Sequence, residues 1–373
     1  MTESETMPMS APWKIALDVR MIRHSGIGQY IQHLLDQYQN NISSDFHYIL
    51  FGNPKFLTTY ANHPNFNIEP YIAPIYKIQE QIAYPSRKFY DTDLLHVPHY
   101  NIPIRFKGKL VITVHDLIHY LFPETISNPL GRKYSHFLMK KAFQKASRII
   151  AISQSTKNDL IKYFHIPENK IDVIYYGKPD LGKTKMDELK PDIKPYILHV
   201  GIDKPHKNVK RLIEAFALFL NKTKSDYRLV LIGPKEPINP DLKKVICDHK
   251  LESKIIFPGY LPQSEISSFY TNADLFVFPS LYEGFGLPPL EAMSTGIPVI
   301  ASNTSSLPEV LGDAALLIDP TNVESIAQGM ENLLTDSSLR LQLIEKGKKR
   351  ITEFSWKESA GQTQEVYRKV LQD

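Results

Sequence analysis

Short, mostly apolar runs alternate with longer amphipathic stretches along the chain. Runs of this kind are typical of strands in a parallel sheet that is covered on both faces. In the first half, strands are predicted at Lys14–Val19, Phe46–Phe51, Phe66–Ile72, Leu94–Pro98, Leu110–Val114, Arg148–Ile152 and Ile171–Tyr176. Helices are predicted between them at Gly26–Asn40, Gly131–Ala146 and Ser155–Phe164.

The alternation is interrupted at 177–194, a polar stretch containing proline and glycine with little apolar periodicity, which indicates an interdomain linker at 181–194. It then resumes. Strands are predicted at Tyr196–Val200, Arg228–Ile232, Ile255–Pro258, Leu275–Phe278, Pro298–Ala301 and Ala315–Ile318, and helices at Asn208–Leu220 and Glu265–Thr271. The end of the chain, 323–373, is predicted to be helical in two or three pieces.

Strands that alternate with helices imply parallel sheets joined by right-handed crossovers. We therefore predict an α/β protein with two Rossmann-like, doubly wound domains at 14–180 and 195–356, facing each other across a cleft. A flexible tail is expected at 1–13, and a C-terminal helix at about 357–373 is expected to pack back on the first domain. Ligands of such sheets bind beyond the carboxyl ends of the strands, so the loops there should carry the chemistry.

Composition excludes several classes of protein. The net charge of +4 and an isoelectric point near 8.7 permit an anionic ligand but do not require nucleic acid, which is not expected as a partner. The single cysteine, Cys247, excludes an internal disulfide framework and a cysteine-rich zinc site. The sequence has neither a signal-peptide core nor an apolar run of about 18 residues. A cytoplasmic location is expected, with peripheral contact with the inner face of the membrane left open.

The most informative stretch runs from Leu275 to Gly296 and reads LFVFPSLYEGFGLPPLEAMSTG. An apolar strand leads into a glycine-rich loop, and the double proline then begins a helix. Amides at such a helix N-terminus favour an anion, and the glycines let a ligand approach the backbone closely. Glu283 in the loop and Glu291 one turn into the helix flank this junction, so we interpret it as an anion site with two carboxylates. The alternative is a loop charge and a solvated helix residue.

Three further loops follow predicted strands. Gly201-Ile202-Asp203-Lys204-Pro205-His206-Lys207-Asn208 carries cations that could neutralise a leaving phosphate. Arg23-His24-Ser25-Gly26-Ile27-Gly28 faces the predicted cleft, although a glycine pair alone also suits an ordinary tight turn. His115-Asp116 ends an apolar strand, and a structural histidine that caps the strand is the alternative to a functional one.

The segment EGFGLPPLE (283–291) resembles the Glu-x7-Glu motif of the retaining, nucleotide-sugar-dependent glycosyltransferases of family 4, which have the twin-Rossmann GT-B architecture. The resemblance covers nearly the whole chain after the tail. It implies that Glu283 lies by the donor sugar at the reacting face and that Glu291 binds the ribose hydroxyls. It also implies that the amides of Phe285, Gly286 and Leu287 hold the sugar and the diphosphate.

The same resemblance assigns the other loops. Gly201, Lys204 and Lys207 would lie at the donor diphosphate, although the arginine that the family usually places after the glycine is absent here. Further implied positions are Gly26, Ile27 and Gly28 near the donor phosphate and acceptor, His115 against the donor hexose, and Tyr260 and Leu261 near the nucleobase. The role of Asp116 is left open.

Two weaker signals have simpler explanations. Asp91-Thr92-Asp93 resembles a metal-binding Asp-x-Asp but precedes a predicted strand, so we interpret it as a turn that begins the strand. The stretch 130–148 carries six Lys or Arg residues and no acid, which suits either a solvated face or contact with anionic lipid.

The resemblance implies transfer of a hexose to a hydroxyl of a glycan or lipid-linked saccharide. The segments LDVRMIRHSGIGQYI and VHDLIHYLFPE look most like family members that use GDP-mannose in surface polysaccharide assembly. A UDP-hexose donor remains an alternative, and a nucleotide-sugar hydrolase or epimerase on the same fold is a less favoured one. The nucleotide sugar is the expected substrate, and neither a cofactor nor a metal is expected.

Overall fold

The computed structural model describes residues 11–40, 45–181, 193, 195–201, 204–236 and 239–373. The described strands form two parallel sheets. The N-terminal sheet contains Trp13–Asp18 (β1), Phe46–Gly52 (β2), Phe66–Pro70 (β3), Leu94–Val97 (β4), Leu110–Val114 (β5), Arg148–Ala151 (β6) and Ile171–Val173 (β7). The C-terminal sheet contains Tyr196–Val200 (β8), Arg228–Ile232 (β9), Ile255–Gly259 (β10), Leu275–Phe278 (β11), Val299–Ser302 (β12) and Leu316–Ile318 (β13).

The helices of the first half are Ser25–Asn40 (α1), Gln79–Ile82 (α2), Ser86–Tyr90 (α3), Ile118–Leu121 (α4), Pro129–Lys145 (α5) and Gln154–Phe164 (α6). Those of the second half are Val209–Thr223 (α7), Pro240–Asp248 (α8), Gln263–Asn272 (α9), Leu287–Ser294 (α10), Leu307–Leu311 (α11), Val323–Thr335 (α12), Ser337–Arg350 (α13) and Trp356–Gln372 (α14). Single turns of 3-10 helix occur between them, including Pro205–Lys207.

The two sheets have matching topologies, with strand orders β3-β2-β1-β4-β5-β6-β7 and β10-β9-β8-β11-β12-β13. The order reverses beside β1 in the first sheet and beside β8 in the second, which are the points where doubly wound folds bind ligands. The strands are buried along most of their length because helices cover both faces. The predicted fold class, two doubly wound α/β domains, is confirmed.

The C-terminal helix connects the two halves by packing on the first sheet. The indole of Trp356, at the start of α14, stacks on the His33 ring of α1 with centroids 4.3 Å apart. Farther along α14, the buried Tyr367 hydroxyl lies 2.6 Å from Nδ1 of His96 in β4. The predicted domain boundaries remain predictions, since most of the predicted linker and of the tail lies outside the described residues.

Candidate functional site

The loop between β11 and α10 brings the second domain into direct contact with the first. The predicted order of strand, loop and helix is present, with α10 beginning at Leu287. Gly286, just before the helix, has a φ of +108°, which glycine adopts without strain. A Cβ built on Gly284 would lie 1.8 Å from the carbonyl oxygen of His115, in the loop after β5. The cleft is therefore closed at this point, and the closure requires glycine at 284.

Two residues predicted to serve the donor form an ion pair in this loop region. Nζ of Lys207, in the 3-10 turn after β8, lies 2.7 Å from Oε1 of Glu283. Both side chains are largely buried. The Glu283 amide donates to Ser305 Oγ at 3.0 Å, and the Lys207 ammonium lies 5.0 Å from the centroid of the Phe278 ring. The structure thus brings together a cation and a carboxylate that the sequence places 76 residues apart.

Asp116 completes a cluster of three charged groups. Its Oδ1 accepts the Ile118 amide at 2.9 Å, and its Cβ lies 3.0 Å from the position of a Cβ built on Gly284. Burial raises the pKa of the Asp116 carboxyl to about 6, and the nearby Glu283 charge adds to the effect while Lys207 opposes it. The residue that the sequence left unassigned therefore belongs to the same part of the cleft as the predicted site.

His115 is held within the first domain by both of its ring nitrogens. Nε2 lies 2.7 Å from the Pro98 carbonyl oxygen, and Nδ1 is hydrogen-bonded to the Tyr176 hydroxyl. The Tyr30 ring packs edge-on against the imidazole at 5.2 Å. Burial lowers the pKa of His115 to about 4, so the ring is neutral. Both ring nitrogens are therefore engaged within the first domain, and a hydrogen bond from the ring to a donor hexose would require one of these two bonds to open. The contact of His115 with the donor stays a prediction.

Glu291 lies in α10 and is almost completely buried. The hydroxyl of the buried Tyr270, in α9, donates to its Oε2 at 2.7 Å. Burial raises the pKa of the Glu291 carboxyl, and the hydrogen bond from Tyr270 opposes that rise. Tyr270 orients the carboxylate that was predicted to bind ribose, and no motif in the sequence marks this tyrosine.

The glycine pair after β1 lies in the first turn of α1. Gly28 packs tightly, because a Cβ there would be 2.6 Å from the Ile22 carbonyl oxygen. A Cβ at Gly26 would meet no atom within 4 Å, so the backbone at Gly26 is open to approach. Ile27 between them is half-buried and packs against the core. Gly28 therefore has a packing role, whereas Gly26 can face a ligand.

The remaining predicted donor residues lie at the ends of strands in the second sheet. Gly201 follows β8 and Lys204 is exposed before the 3-10 turn, while the intervening 202–203 lie outside the described residues. Lys204 reaches toward His119 of the first domain. Burial is the main cause that lowers the pKa of His119, and the Lys204 charge lowers it further. Tyr260 after β10 is exposed and Leu261 is half-buried.

The ring and the backbone of the loop residue Phe285 have different neighbours. Its ring is buried against Tyr176 of the first domain at 5.0 Å and against Phe354 at 5.6 Å. Leu287 is half-buried at the start of α10. The side chain of Phe285 therefore packs between the domains, and its predicted contact with a ligand can involve only the main chain.

A second set of contacts, which no pattern in the sequence indicates, closes the cleft near α6. The Tyr282 hydroxyl donates to Oδ2 of Asp159 at 2.8 Å. The Glu309 carboxylate accepts the amides of Gln154 at 2.5 Å and Ser155 at 3.0 Å, at the N-terminus of α6. These residues come from separate domains, so their pairing depends on how the domains are arranged.

The Asp91-Thr92-Asp93 segment forms the predicted turn before β4. Oδ2 of Asp93 accepts the Lys14 amide at 2.7 Å, which ties the turn to β1. Within the described parts of the chain, no group of three or more His, Cys, Asp or Glu side chains is arranged to hold a metal ion.

Comparison with known proteins identifies the family. The family "Glycosyl transferases group 1" matches residues 182–350, and "Glycosyltransferase Family 4" matches residues 45–177. The O-antigen chain mannosyltransferase B of Escherichia coli is 32% identical over 288 residues, which are 75% of either chain. The serotype-specific mannosyltransferase WbdA of E. coli is 32% identical over 76% of this chain, but this chain spans only 36% of its length.

A solved structure extends the comparison to the fold. HepE of Anabaena, crystallised with UDP and glucose, superimposes with a TM-score of 0.73 at 19% identity, covering 96% of this chain and all of that chain. At that identity the similarity concerns the fold alone, and it agrees with the twin-domain architecture. The family matches and the relatives over 30% identical show that this chain belongs to glycosyltransferase family 4 (glycosyl transferases group 1), with the GT-B architecture.

Proposed function

We propose that the chain is a retaining hexosyltransferase. It moves mannose from GDP-mannose to a hydroxyl of a glycan or lipid-linked saccharide during the biosynthesis of a surface polysaccharide. Relatives named as O-antigen chain and serotype-specific mannosyltransferases support the sugar and the pathway class. The observation that carries the proposal is the buried pair of Lys207 and Glu283, which lies beside Asp116 where the two domains meet.

The donor is bound mainly by the second domain. Glu291, held by Tyr270, accepts hydrogen bonds from the ribose diol, since a carboxylate oxygen has two lone pairs. The diphosphate lies against Lys204, Lys207 and the Phe285–Leu287 amides at the start of α10, with Gly201 allowing close approach. The backbone at Tyr260–Leu261 contacts the nucleobase. Gly26, with Ile27 and Gly28, faces the donor phosphate and the acceptor from the first domain.

When the donor binds, Lys207 must change its partner from Glu283 to the diphosphate. In the structure its ammonium is paired with Glu283. A diphosphate carries more negative charge than a carboxylate and attracts the ammonium more strongly. The ammonium can then neutralise the leaving group, and Glu283 is released to accept hydrogen bonds from the sugar. This exchange makes the catalytic carboxylate available only when the donor phosphate is present.

The reaction proceeds on one face of the sugar. The bond between the anomeric carbon and the phosphate oxygen breaks, and its electron pair stays on the diphosphate, which Lys207 stabilises. The acceptor oxygen forms the new bond to the anomeric carbon from the same side. Its proton passes to the leaving phosphate oxygen, so the configuration is retained. Glu283 orients the hexose in this mechanism, whereas a nucleophilic Glu283 would form a covalent intermediate.

A panel of nucleoside diphosphate sugars tests the donor. A ligand that binds only the folded protein raises its melting temperature by mass action. We expect a shift with GDP-mannose and with GDP, and a smaller shift with UDP-glucose and UDP. A shift with UDP-sugars alone would establish the alternative donor class, to which the UDP and glucose in the HepE crystal draw attention. The anomeric configuration of the product, determined by NMR, tests retention.

Two further measurements separate the reaction classes. Incubation with donor alone should release little free hexose, because the acceptor hydroxyl is the attacking group, whereas a hydrolase would release it at the full rate. Turnover should be unchanged by EDTA, because lysine side chains supply the positive charge at the diphosphate. Loss of turnover with EDTA and recovery with Mg²⁺ would contradict the metal-independent mechanism.

We also propose that the first domain contacts an anionic membrane surface. No described helix is long and apolar enough to cross a bilayer. However, Ile78 and Ile82 are 66% and 80% exposed at α2, and Leu130 is 74% exposed at α5. Tyr134 of α5 lies beside Glu80 of α2, so the two helices are adjacent. Burial is the main cause that raises the pKa of the Tyr134 hydroxyl, and the Glu80 charge adds to it. Basic α5 side chains, such as Lys133 and Lys140, are exposed on this surface.

Flotation with lipid vesicles tests this contact. The protein should float with vesicles that contain a third phosphatidylglycerol and should not float with pure phosphatidylcholine. A Lys133→Glu, Lys140→Glu double variant should lose flotation and keep its activity on a water-soluble acceptor. Equal flotation of the wild type and the double variant would show that this face does not bind the membrane.

A further inference from the structure

Tyr76 stands out on the surface of the first domain, between β3 and α2. Its φ is +63°, a left-handed conformation that is costly for a residue with a Cβ. The residue is nevertheless 37% exposed. Three neighbouring rings hold it, those of His99 at 5.7 Å, His119 at 5.9 Å and Tyr100 at 6.1 Å. An aromatic side chain that is held in a strained conformation and remains accessible is a candidate for ligand binding.

The wall behind Tyr76 is a chain of buried hydrogen bonds. Nδ1 of His99 lies 2.6 Å from Oδ1 of Asn101, whose amide donates to Oε1 of Glu80 at 3.1 Å. The Glu80 carboxylate is 3.5 Å from Arg20, which forms a 2.6 Å ion pair with Asp18 at the end of β1. All five side chains are largely buried. The cluster is therefore anchored to the sheet and is not a feature of a mobile loop.

This cluster borders the cleft opposite the predicted donor site. The ring of His99 lies 6.4 Å from the ring of His115, which adjoins Asp116 in the loop after β5. Burial raises the pKa of the Tyr76 hydroxyl, and the Asp116 charge adds to this rise. Asp116 in turn interacts with Glu283 and Lys207. The Tyr76 cluster therefore lies in the first domain near the three charged groups at which we propose that the reaction occurs.

The groups around Tyr76 determine which ligand fits. Tyr100 Oη lies 2.5 Å from Nδ1 of His119 and 3.2 Å from Ser135 Oγ, and Asp116 adds a carboxylate. Hydroxyl, imidazole and carboxylate groups complement the hydroxyls of a sugar, while an aromatic face packs on its C–H groups. The Asp116 carboxylate would repel a phosphate, and the nearby Lys204 is already assigned to the donor diphosphate.

We propose that Tyr76, with His99, Tyr100 and His119 around it, forms an acceptor subsite that takes the neutral pyranose end of the acceptor. This inference rests on the proposed transferase function. It assigns the acceptor class and one positioning residue to the first domain. The attacking hydroxyl would then reach toward Asp116 and the anomeric carbon of the donor.

Binding of simple pyranosides, measured separately from donor binding, tests the subsite. The probes are the octyl α-pyranosides of mannose, glucose, galactose and N-acetylglucosamine, titrated by NMR into protein saturated with GDP or with UDP, whichever binds. At least one should bind the wild type. Tyr76→Ala and Tyr76→Gly should raise its Kd at least tenfold, and Tyr76→Phe should stay within threefold. The glycine variant relieves the positive φ and guards against misfolding of the alanine variant.

The matched control is Tyr90→Ala, which removes another half-exposed tyrosine of the same domain and should leave the pyranoside Kd unchanged. Nucleotide affinity should stay within twofold in every variant. The subsite is refuted if no pyranoside binds the wild type, if the glycine and alanine variants bind like the wild type, or if mannose 6-phosphate binds more tightly than the neutral sugars. If the wild type bound neither GDP nor UDP, that result would instead refute the proposed function.

Discussion

Replacing Gly284 by alanine should separate donor binding from catalysis. The Cβ of the new residue would lie 1.8 Å from the His115 carbonyl oxygen and 2.9 Å from its carbon. Both are backbone atoms and cannot rotate away. Gly284 is not among the residues with positive φ, so alanine costs little inside the second domain. The whole effect of the substitution therefore falls on the contact between the domains.

The size of the effect follows from the geometry. A carbon and an oxygen at 1.8 Å are about 1.5 Å inside ordinary van der Waals contact. The domains must open by about that distance at this point, and Asp116 moves away from Glu283 and Lys207. Misplacement of reacting groups by about 1 Å can cost about 100-fold in rate. We expect kcat to fall about 100-fold, equivalent to about 2.7 kcal/mol of activation free energy.

The assay compares kcat with nucleotide affinity measured by calorimetry. Nucleotide binding uses the second domain and should change less than threefold. Gly361→Ala is the matched control, because a Cβ at Gly361 would meet no atom within 4 Å in α14. If Gly284→Ala kept kcat within threefold of the wild type, the closed arrangement described here would not be the one in which the reaction occurs.

Three further substitutions test the site by stability and affinity. Lys207→Met leaves the buried Glu283 carboxylate without its cation and should destabilise the protein by about 3 kcal/mol in urea unfolding; the Lys207→Met, Glu283→Gln double variant should recover much of the loss, and no recovery would contradict the pairing. Burial raises the pKa of Asp116 from 3.8 to about 6, so the folded state holds its proton to higher pH than the unfolded state and loses stability as pH rises through that window. Asp116→Asn cannot ionise and should therefore be more stable than the wild type at pH 7.5, by at most about 3 kcal/mol, and this difference should fall to about zero near pH 3, below both pKa values; a constant difference at all pH values would refute the shift. Gly286→Ala forces a side chain into a φ of +108° and 2.7 Å from Leu307, which should cost about 2 kcal/mol in thermal unfolding and weaken nucleotide binding, whereas a neutral effect would show that the loop can rearrange.

The sheets could be predicted from the sequence because each strand is an apolar run buried on both faces. Four strands, β5, β8, β9 and β11, have the predicted bounds, and the other described strands differ at their ends. The largest error was at Ile171–Tyr176, where the strand ends at Val173. Tyr176 is buried against Phe285 and Trp356 rather than in the sheet, so its apolar character reflects contact between the domains.

The short helices were missed for a different reason. α2, α3 and α4 contain only four or five residues each. A helix of this length covers little more than one turn, so it cannot show an apolar repeat. These helices are held by tertiary contacts, such as the Gln81 side chain, which donates to the Ile102 carbonyl oxygen at 2.9 Å. The surface on which Tyr76 lies is built from such segments, which explains why no pattern in the sequence indicates it.

The same distinction governs the candidate site. Glu283 and Glu291 could be located because one strand, one loop and one helix fix them, and all three elements are continuous in the sequence. His115 could not be assigned from its position at a strand end, because its surroundings include Tyr176, which is 61 residues away. The residues that close the cleft, Gly284 and Asp116, depend on the arrangement of two domains, for which one sequence contains no local pattern. The placement of Glu283 and Glu291 is therefore predictable from a local motif, whereas the closed cleft and the surface around Tyr76 require the tertiary structure.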